Sequence, residues 1–203
     1  MPNIQQHTAM NTIEDTTYAL NKTYTKILFS ELIFTIKEFE NCTFTNTTFR
    51  EIELQNIVFI NCIFTNCDFT MTKFINTALR TCKFEECKIL GADFETCNHF
   101  GLDISFKDCI IDYTIFTKLP LIQTNFINCS AIETNFSESK LTKSTFDNCS
   151  LDRAIFYNTN LEKVDFRNAY NYEINPNNNK IKGAKFSRYN IHGLLSSFGI
   201  TIE

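Results

Sequence analysis

Nine cysteines and three histidines are the side chains of this 203-residue chain best suited to chemistry. Thiolates and imidazoles bind zinc, and thiols oxidise to disulfides or attack as nucleophiles. Their spacing argues against each of these. Cys42, Cys62 and Cys82 lie 20 residues apart, as do Cys67 and Cys87, and Cys109, Cys129 and Cys149. The steps from Cys62 to Cys67 and from Cys82 to Cys87 do not match common zinc motifs. His7, His99 and His192 have no partner set in sequence, and no Gly-rich phosphate loop or nucleophile motif occurs. The reading is a non-enzymatic chain without cofactor or metal. Its cysteines act as small buried hydrophobes and stay reduced in a cytoplasmic compartment.

What positions these cysteines is a five-residue beat. Every fifth residue from Phe29 to Phe94 is large and apolar, including Phe34, Phe44, Phe49, Leu54, Phe64, Phe69, Phe74, Phe84 and Ile89. The beat slips by two residues and resumes through Phe106, Phe116, Phe126, Phe136, Phe146, Phe156 and Phe166. Eighteen of the 21 phenylalanines fall on it, which excludes both the 3.6-residue period of a helix and the 2-residue period of a strand. Two residues before most large positions sits Cys, Thr, Ser, Ala or Val, and all nine cysteines share this register. Residues two apart in extended chain face the same way. Each five-residue unit therefore sends one large and one small side chain inward, and its three remaining, mostly polar residues face water. Phe44, Phe64, Phe84, Phe106, Phe126, Phe146 and Phe166 are the expected core centres, with Cys42, Cys62, Cys82, Cys109, Cys129 and Cys149 at the small positions.

Units such as Cys42-Thr43-Phe44-Thr45-Asn46, Cys67-Asp68-Phe69-Thr70-Met71 and Ala92-Asp93-Phe94-Glu95-Thr96 resemble those of the pentapeptide-repeat proteins, over residues 24–186. The resemblance implies an all-β fold, a right-handed quadrilateral parallel β-helix in which four units make one coil. About eight coils at roughly 4.8 Å each give a rod about 40 Å long. Residues 1–23 lack the repeat and are expected to form a leader or cap. The slip is placed at 98–103, around Phe100-Gly101, as a bulge.

The tail at 187–203 leaves the repeat. Ile191, Leu194, Leu195 and Phe198 follow helical spacing, with Ser187 as N-cap, Gly199 at C′ and Ile200-Thr201-Ile202 as a short strand. Leu194, Leu195, Phe198, Gly199, Ile200 and Ile202 resemble the C-terminus of the quinolone-resistance and topoisomerase-poison immunity branch of the family. In that branch the module joins two rods end to end, implying a symmetric homodimer about 80–100 Å long. The other reading of this helix is a cap on the chain's own last coil.

The same resemblance implies a DNA-mimicking partner of DNA gyrase or another type II topoisomerase. The charges bear on this directly. Residues 1–173 carry net −7 and residues 174–203 net +3. Duplex DNA of that length carries roughly 23 charges at one per ~1.7 Å, so the rod is a weak electrostatic copy. Several acids also fall 20 residues from bases: Glu53 and Asp93 flank Lys73, and Asp68–Lys88, Glu138–Lys118, Glu133–Arg153 and Asp147–Arg167 are expected cross-strand pairs. Glu31 over Glu51 is the one adjacent acidic pair. The branch's plasmid-borne members carry longer projecting loops, whereas here the two-residue slip is the only internal interruption. An acidic body without a basic stripe implies no direct nucleic-acid binding, and no apolar run is long enough for a membrane span. The alternative function is an interaction scaffold for another partner.

Overall fold

The computed structural model describes residues 17–31 and 36–200. The chain winds into a parallel β-solenoid of about eight turns. Its first face is a nine-stranded parallel sheet running from Thr23–Thr25 through Thr43–Thr45, Ile63–Thr65, Cys82–Glu85, Ile104–Lys107, Asn125–Ile127, Thr145–Asp147 and Asp165–Phe166 to Lys185–Phe186. The fourth face pairs Tyr18–Leu20, Glu38–Glu40, Val58–Ile60 and Ala78–Arg80. The third pairs Glu53–Gln55 with Lys73–Ile75, and much of the second and third faces is held by single parallel bridges.

Strand Tyr18–Leu20 already pairs in phase with Glu38–Glu40, and Ala19 occupies the Phe39 position one coil earlier. The solenoid thus begins inside the segment assigned to the leader. Ala19, a small residue where later coils carry Phe or Leu, breaks the run of large residues there. Residues 1–16 and Phe34 lie outside the described residues.

The core is a set of aromatic columns. On the first face Tyr24, Phe44, Phe64, Phe84, Phe106, Phe126, Phe146, Phe166 and Phe186 stack face to face, with centroids 4.6 Å apart at the closest and 5.3 Å at the widest. The cross-strand spacing of parallel strands, about 4.8 Å, is what allows offset stacking at each step. Columns on neighbouring faces meet edge-on, as Phe126 does with Phe136 at 83°.

The small positions carry a second regularity. Cys67, Cys87, Cys149, Thr72, Thr77, Thr134 and Ser144 each donate to the carbonyl oxygen of the large residue 23 positions earlier, in the coil below. Thiols do so at 3.3–3.4 Å and hydroxyls at 2.6–2.7 Å. Cys, Thr and Ser are therefore interchangeable as small side chains with one donor, and the buried hydroxyls of Thr72, Thr77, Thr134 and Ser144 are satisfied by this bond. The cysteines are more than small hydrophobes.

The corners also follow a rule. The fifth residue of most units is left-handed, with φ near +52 to +63° at Asn41, Asn46, Asn56, Asn61, Asn66, Asn128, Asn148, Lys143 and Lys163. Asn tolerates this region better than most residues. Stacked corner amides bond to one another as well, Asn61 to Asn41 at 3.2 Å and Asn148 to Asn128 at 3.0 Å.

Candidate functional site: thiols, bulge and C-terminal end

The slip joins two thiol ladders that the sequence presented as separate. Pairing across it is offset by 22 residues, as in Phe84 opposite Phe106. Cys109 therefore stacks on Cys87, whose backbone N–H donates to the Cys109 Sγ at 3.4 Å. Cys67, Cys87, Cys109, Cys129 and Cys149 form one column of five, and Cys42, Cys62 and Cys82 form another that Ile104 continues. All nine thiols are free and buried. Burial pushes Cys82 and Cys97 up to about 12. Hydrogen bonding to the neighbouring thiol, with burial, raises Cys62 and Cys149, while bonds from stacked thiols draw Cys42, Cys67 and Cys129 down. Among the described residues no cluster of three or more His, Cys, Asp or Glu side chains is arranged to hold a metal ion. Both ladders lie within the stacked core, each thiol against the coils above and below it.

At the bulge the two extra residues lie between Asn98 and Asp103. The Asp103 N–H donates to the Leu79 carbonyl at 3.0 Å and its carbonyl accepts from the Cys82 N–H at 2.9 Å, so pairing resumes at once. The chain can turn outward because Gly101 takes φ +70°. Phe100 is left 79% exposed with the Arg80 guanidinium 5.7 Å from its ring centroid. His99 is exposed nearby, and its ring Nε2 lies 3.3 Å from the Glu95 carbonyl oxygen.

The C-terminal end differs from the expected α-helix. Ile191–Leu194 and Ser196–Phe198 are two short 3₁₀ turns. Asn190 is the residue before the first turn and makes no side-chain cap bond there. Ser187 Oγ instead accepts from the Tyr189 N–H at 3.2 Å. The reason lies at Gly193. A Cβ there would stand 2.0 Å from the Tyr172 carbonyl oxygen, and the Gly193 carbonyl accepts from Ile174 N–H at 2.8 Å. Docking on the last coil, reinforced by Asn190 Nδ2 to the Ala169 carbonyl at 3.1 Å, overrides helical spacing. Gly199 is left-handed at φ +63°, as its C′ assignment requires.

This docking splits the predicted interface set. Leu194 turns inward and closes the core beside Tyr172, which packs on Phe166 and Phe186. Leu195 is half-buried. Ile191, Phe198 and Ile200 point outward at 42, 53 and 57% exposure, with Tyr189 at 75%. Ile202 lies outside the described residues. Sequence reasoning missed Tyr189, which lies off the apolar spacing, and missed Gly193 as the docking point.

The charge columns are partly as expected. Lys73 meets Glu53 at 2.9 Å and Arg153 meets Glu133 at 3.0 Å. Lys118 reaches Glu95 at 3.1 Å, on the neighbouring coil, in place of Glu138. Arg167 folds back onto Asp165 of its own strand at 2.7 Å, and the Asp147 carboxylate accepts from Asn168 instead. Arg167 holds the Asp165 carboxyl below its ordinary value. No helix among the described residues is long and apolar enough to cross a membrane.

A family model described as a pentapeptide repeat region matches residues 32–116, 102–175 and 119–194. No curated protein matches the chain in sequence. Among solved structures, a trypsin-treated variant of QnrB1, a plasmid-mediated fluoroquinolone resistance protein, superposes with a TM-score of 0.71 at 17% identity. The match covers 94% of this chain and 93% of that one. A second trypsin-treated variant of the same protein superposes at 0.61 and 18% identity, covering 93% and 98%. At these identities the likeness is one of fold. The in-phase strands, the inward Phe and Cys ladders and the family match over most of its length make this chain a member of the pentapeptide-repeat family.

Proposed function

We propose that this chain is a non-enzymatic, cytoplasmic, gyrase-interacting rod that confers resistance or immunity to topoisomerase poisons such as quinolones. The observation that supports it best is end-to-end similarity in size and shape to a fluoroquinolone resistance protein, covering 94% and 93% of the two chains. On this reading two copies join through Tyr189, Ile191, Phe198 and Ile200, whose exposed apolar surface sits at the end of the rod. Any mimicry of DNA rests on the rod's shape and width, because Glu53, Glu95 and Glu133 are already neutralised by bases of the same chain. Purified chain should inhibit gyrase supercoiling, or restore it in the presence of a quinolone, at micromolar concentration. No effect in either assay would reject the gyrase reading. The second reading, a scaffold for a different partner, is favoured by those same internal ion pairs, which leave little net charge for an electrostatic copy of DNA.

A further inference from the structure

Charges that look dispersed in the sequence are sorted by face in the solenoid. On the fourth face of the last three coils Lys140, Asn160 and Lys180 form one cross-strand rank, bridged in parallel register. Lys182 lies on the far side of the Ile181 position, and Lys143 and Lys163 occupy left-handed corners one coil apart. All five lysines are exposed, and among the described residues none forms an ion pair. Against these five lysines the face carries the half-buried Glu162, and the exposed Glu138 stands at its other left-handed corner. Asn160 spends its side-chain oxygen on the Glu162 N–H at 3.0 Å, so its amide NH2 is the group left to act outward. The second face from Ile111 to Leu151 has the opposite balance, Asp112, Glu133 and Asp152 against Arg153. Whole-chain acidity therefore conceals a local basic surface.

We propose that this fourth-face lysine array binds the phosphate backbone of duplex nucleic acid, without reading sequence. The face offers mainly donors, which suits a ligand that presents only acceptors. All its cations are Lys, point charges suited to a diffuse polyanion, whereas bidentate recognition of single carboxylates favours Arg. Ile122, a coil earlier, is the large exposed apolar side chain on this face, and among the described residues no exposed aromatic offers a platform there for unstacked bases. Lys140 and Lys180 stand two coils, about 10 Å, apart, which lets the array follow a run of phosphates along a backbone. This departs from the expectation of no nucleic-acid binding, which rested on total charge and on a stripe that is invisible until the coils are stacked.

The test is fluorescence anisotropy of a short labelled DNA duplex with the full chain across a salt series of roughly 50–200 mM potassium chloride. Three to five engaged lysines predict a log–log salt slope of about −2.7 to −4.5, so affinity should fall roughly 40- to 500-fold over this range. Joint replacement Lys143→Glu, Lys163→Glu and Lys182→Glu should weaken binding at low salt at least tenfold. Lys83→Glu on the first face should leave it unchanged. Thermal melts of each variant establish that the solenoid is intact. No binding by the native chain at the lowest salt would overturn the proposal. So would binding that survives the triple replacement, or retention of polyglutamate in preference to the duplex. Gyrase is absent from the assay, so its outcome is separate from that of the supercoiling experiment.

Discussion

The middle of the rod and its C-terminal end are built from the same residue types and behave differently. Around Phe126 each side chain has a copy of itself one coil above and one below, 5.3 and 4.6 Å away. Around Phe198 no further coil stacks among the described residues, and the ring is 53% exposed. Burial of Phe in the middle follows from backbone pairing at a fixed offset. At the end, burial depends on one-off contacts such as Gly193 against Tyr172. Identity of side chain is thus nearly fixed in the first region by stacking, and in the second by what the exposed surface must do.

The largest test of that contrast is Phe126→Ala. The ring is fully buried and also meets Phe116 and Phe136 edge-on. Removing it leaves a cavity that neighbouring coils cannot close without breaking register, so unfolding in urea should lose about 3–5 kcal/mol. The same truncation at Phe198 should change stability by no more than about 0.5 kcal/mol and, on the proposed end-to-end dimer, should shift the light-scattering mass to that of a monomer. A large stability loss at Phe198, or an unchanged mass, would dissolve the distinction between the two regions.

Gly193→Ala comes next. Its Cβ would meet a backbone oxygen at 2.0 Å, which no rotamer change relieves. The tail must lift from the last coil, at about 1–3 kcal/mol as for other overpacked sites. Hydrogen exchange at the Ile174 N–H, which bonds to the Gly193 carbonyl at 2.8 Å, should accelerate. The proposed dimer should weaken with it, because Ile191 and Phe198 lose their platform. Unchanged exchange at Ile174 would mean that the tail is not held at Gly193.

The sequence is most legible where one coil repeats another. The aromatic columns, the small positions and the bulge follow directly from spacing, because a parallel solenoid converts sequence offset into contact. Legibility ends where a contact depends on an absolute position. The column Cys67 to Cys149 could be assembled only by carrying the two-residue slip through the pairing. Tyr18–Leu20 was missed because Ala19 replaces a large residue. The corner role of Asn was hidden because polar residues at the third outward position read simply as solvent-facing. In the tail, helical spacing of Ile191, Leu194, Leu195 and Phe198 was real in the sequence but lost to the close approach at Gly193.

Alkaline pH separates interior from surface by charge. Cys82 and Cys97 are raised to about 12 by burial, from an ordinary thiol value of 9.0. In the unfolded chain they ionise above about pH 9, while the folded chain retains both protons. The unfolded state then binds fewer protons, so stability falls as pH rises from about 9 toward 12, by about 1.4 kcal/mol per unit for each thiol. Urea midpoints measured from about pH 8 to 10.5 should decline, and Cys82→Ser should reduce the slope by about half of that two-thiol contribution. A flat profile would show that the thiols gain access to solvent without unfolding.

The smallest effect tests whether outward side chains couple between coils at all. Glu133 and Arg153 lie one coil apart and approach to 3.0 Å, with both side chains substantially exposed. Asp147 and Arg167 have the same 20-residue separation, yet Arg167 is retained by Asp165 through its Nε and Nη2 atoms. A double-mutant cycle to Ala should give a coupling of about 0.2–1 kcal/mol for the first pair, toward the lower end because of solvent screening. The second should be within error of zero, since each single replacement breaks a different contact. Half-molar salt should erase the first coupling. Equal couplings for both pairs would mean that separation in sequence alone sets surface energetics. Unequal couplings mean that the solenoid dictates which residues are neighbours and leaves their pairing to local competition.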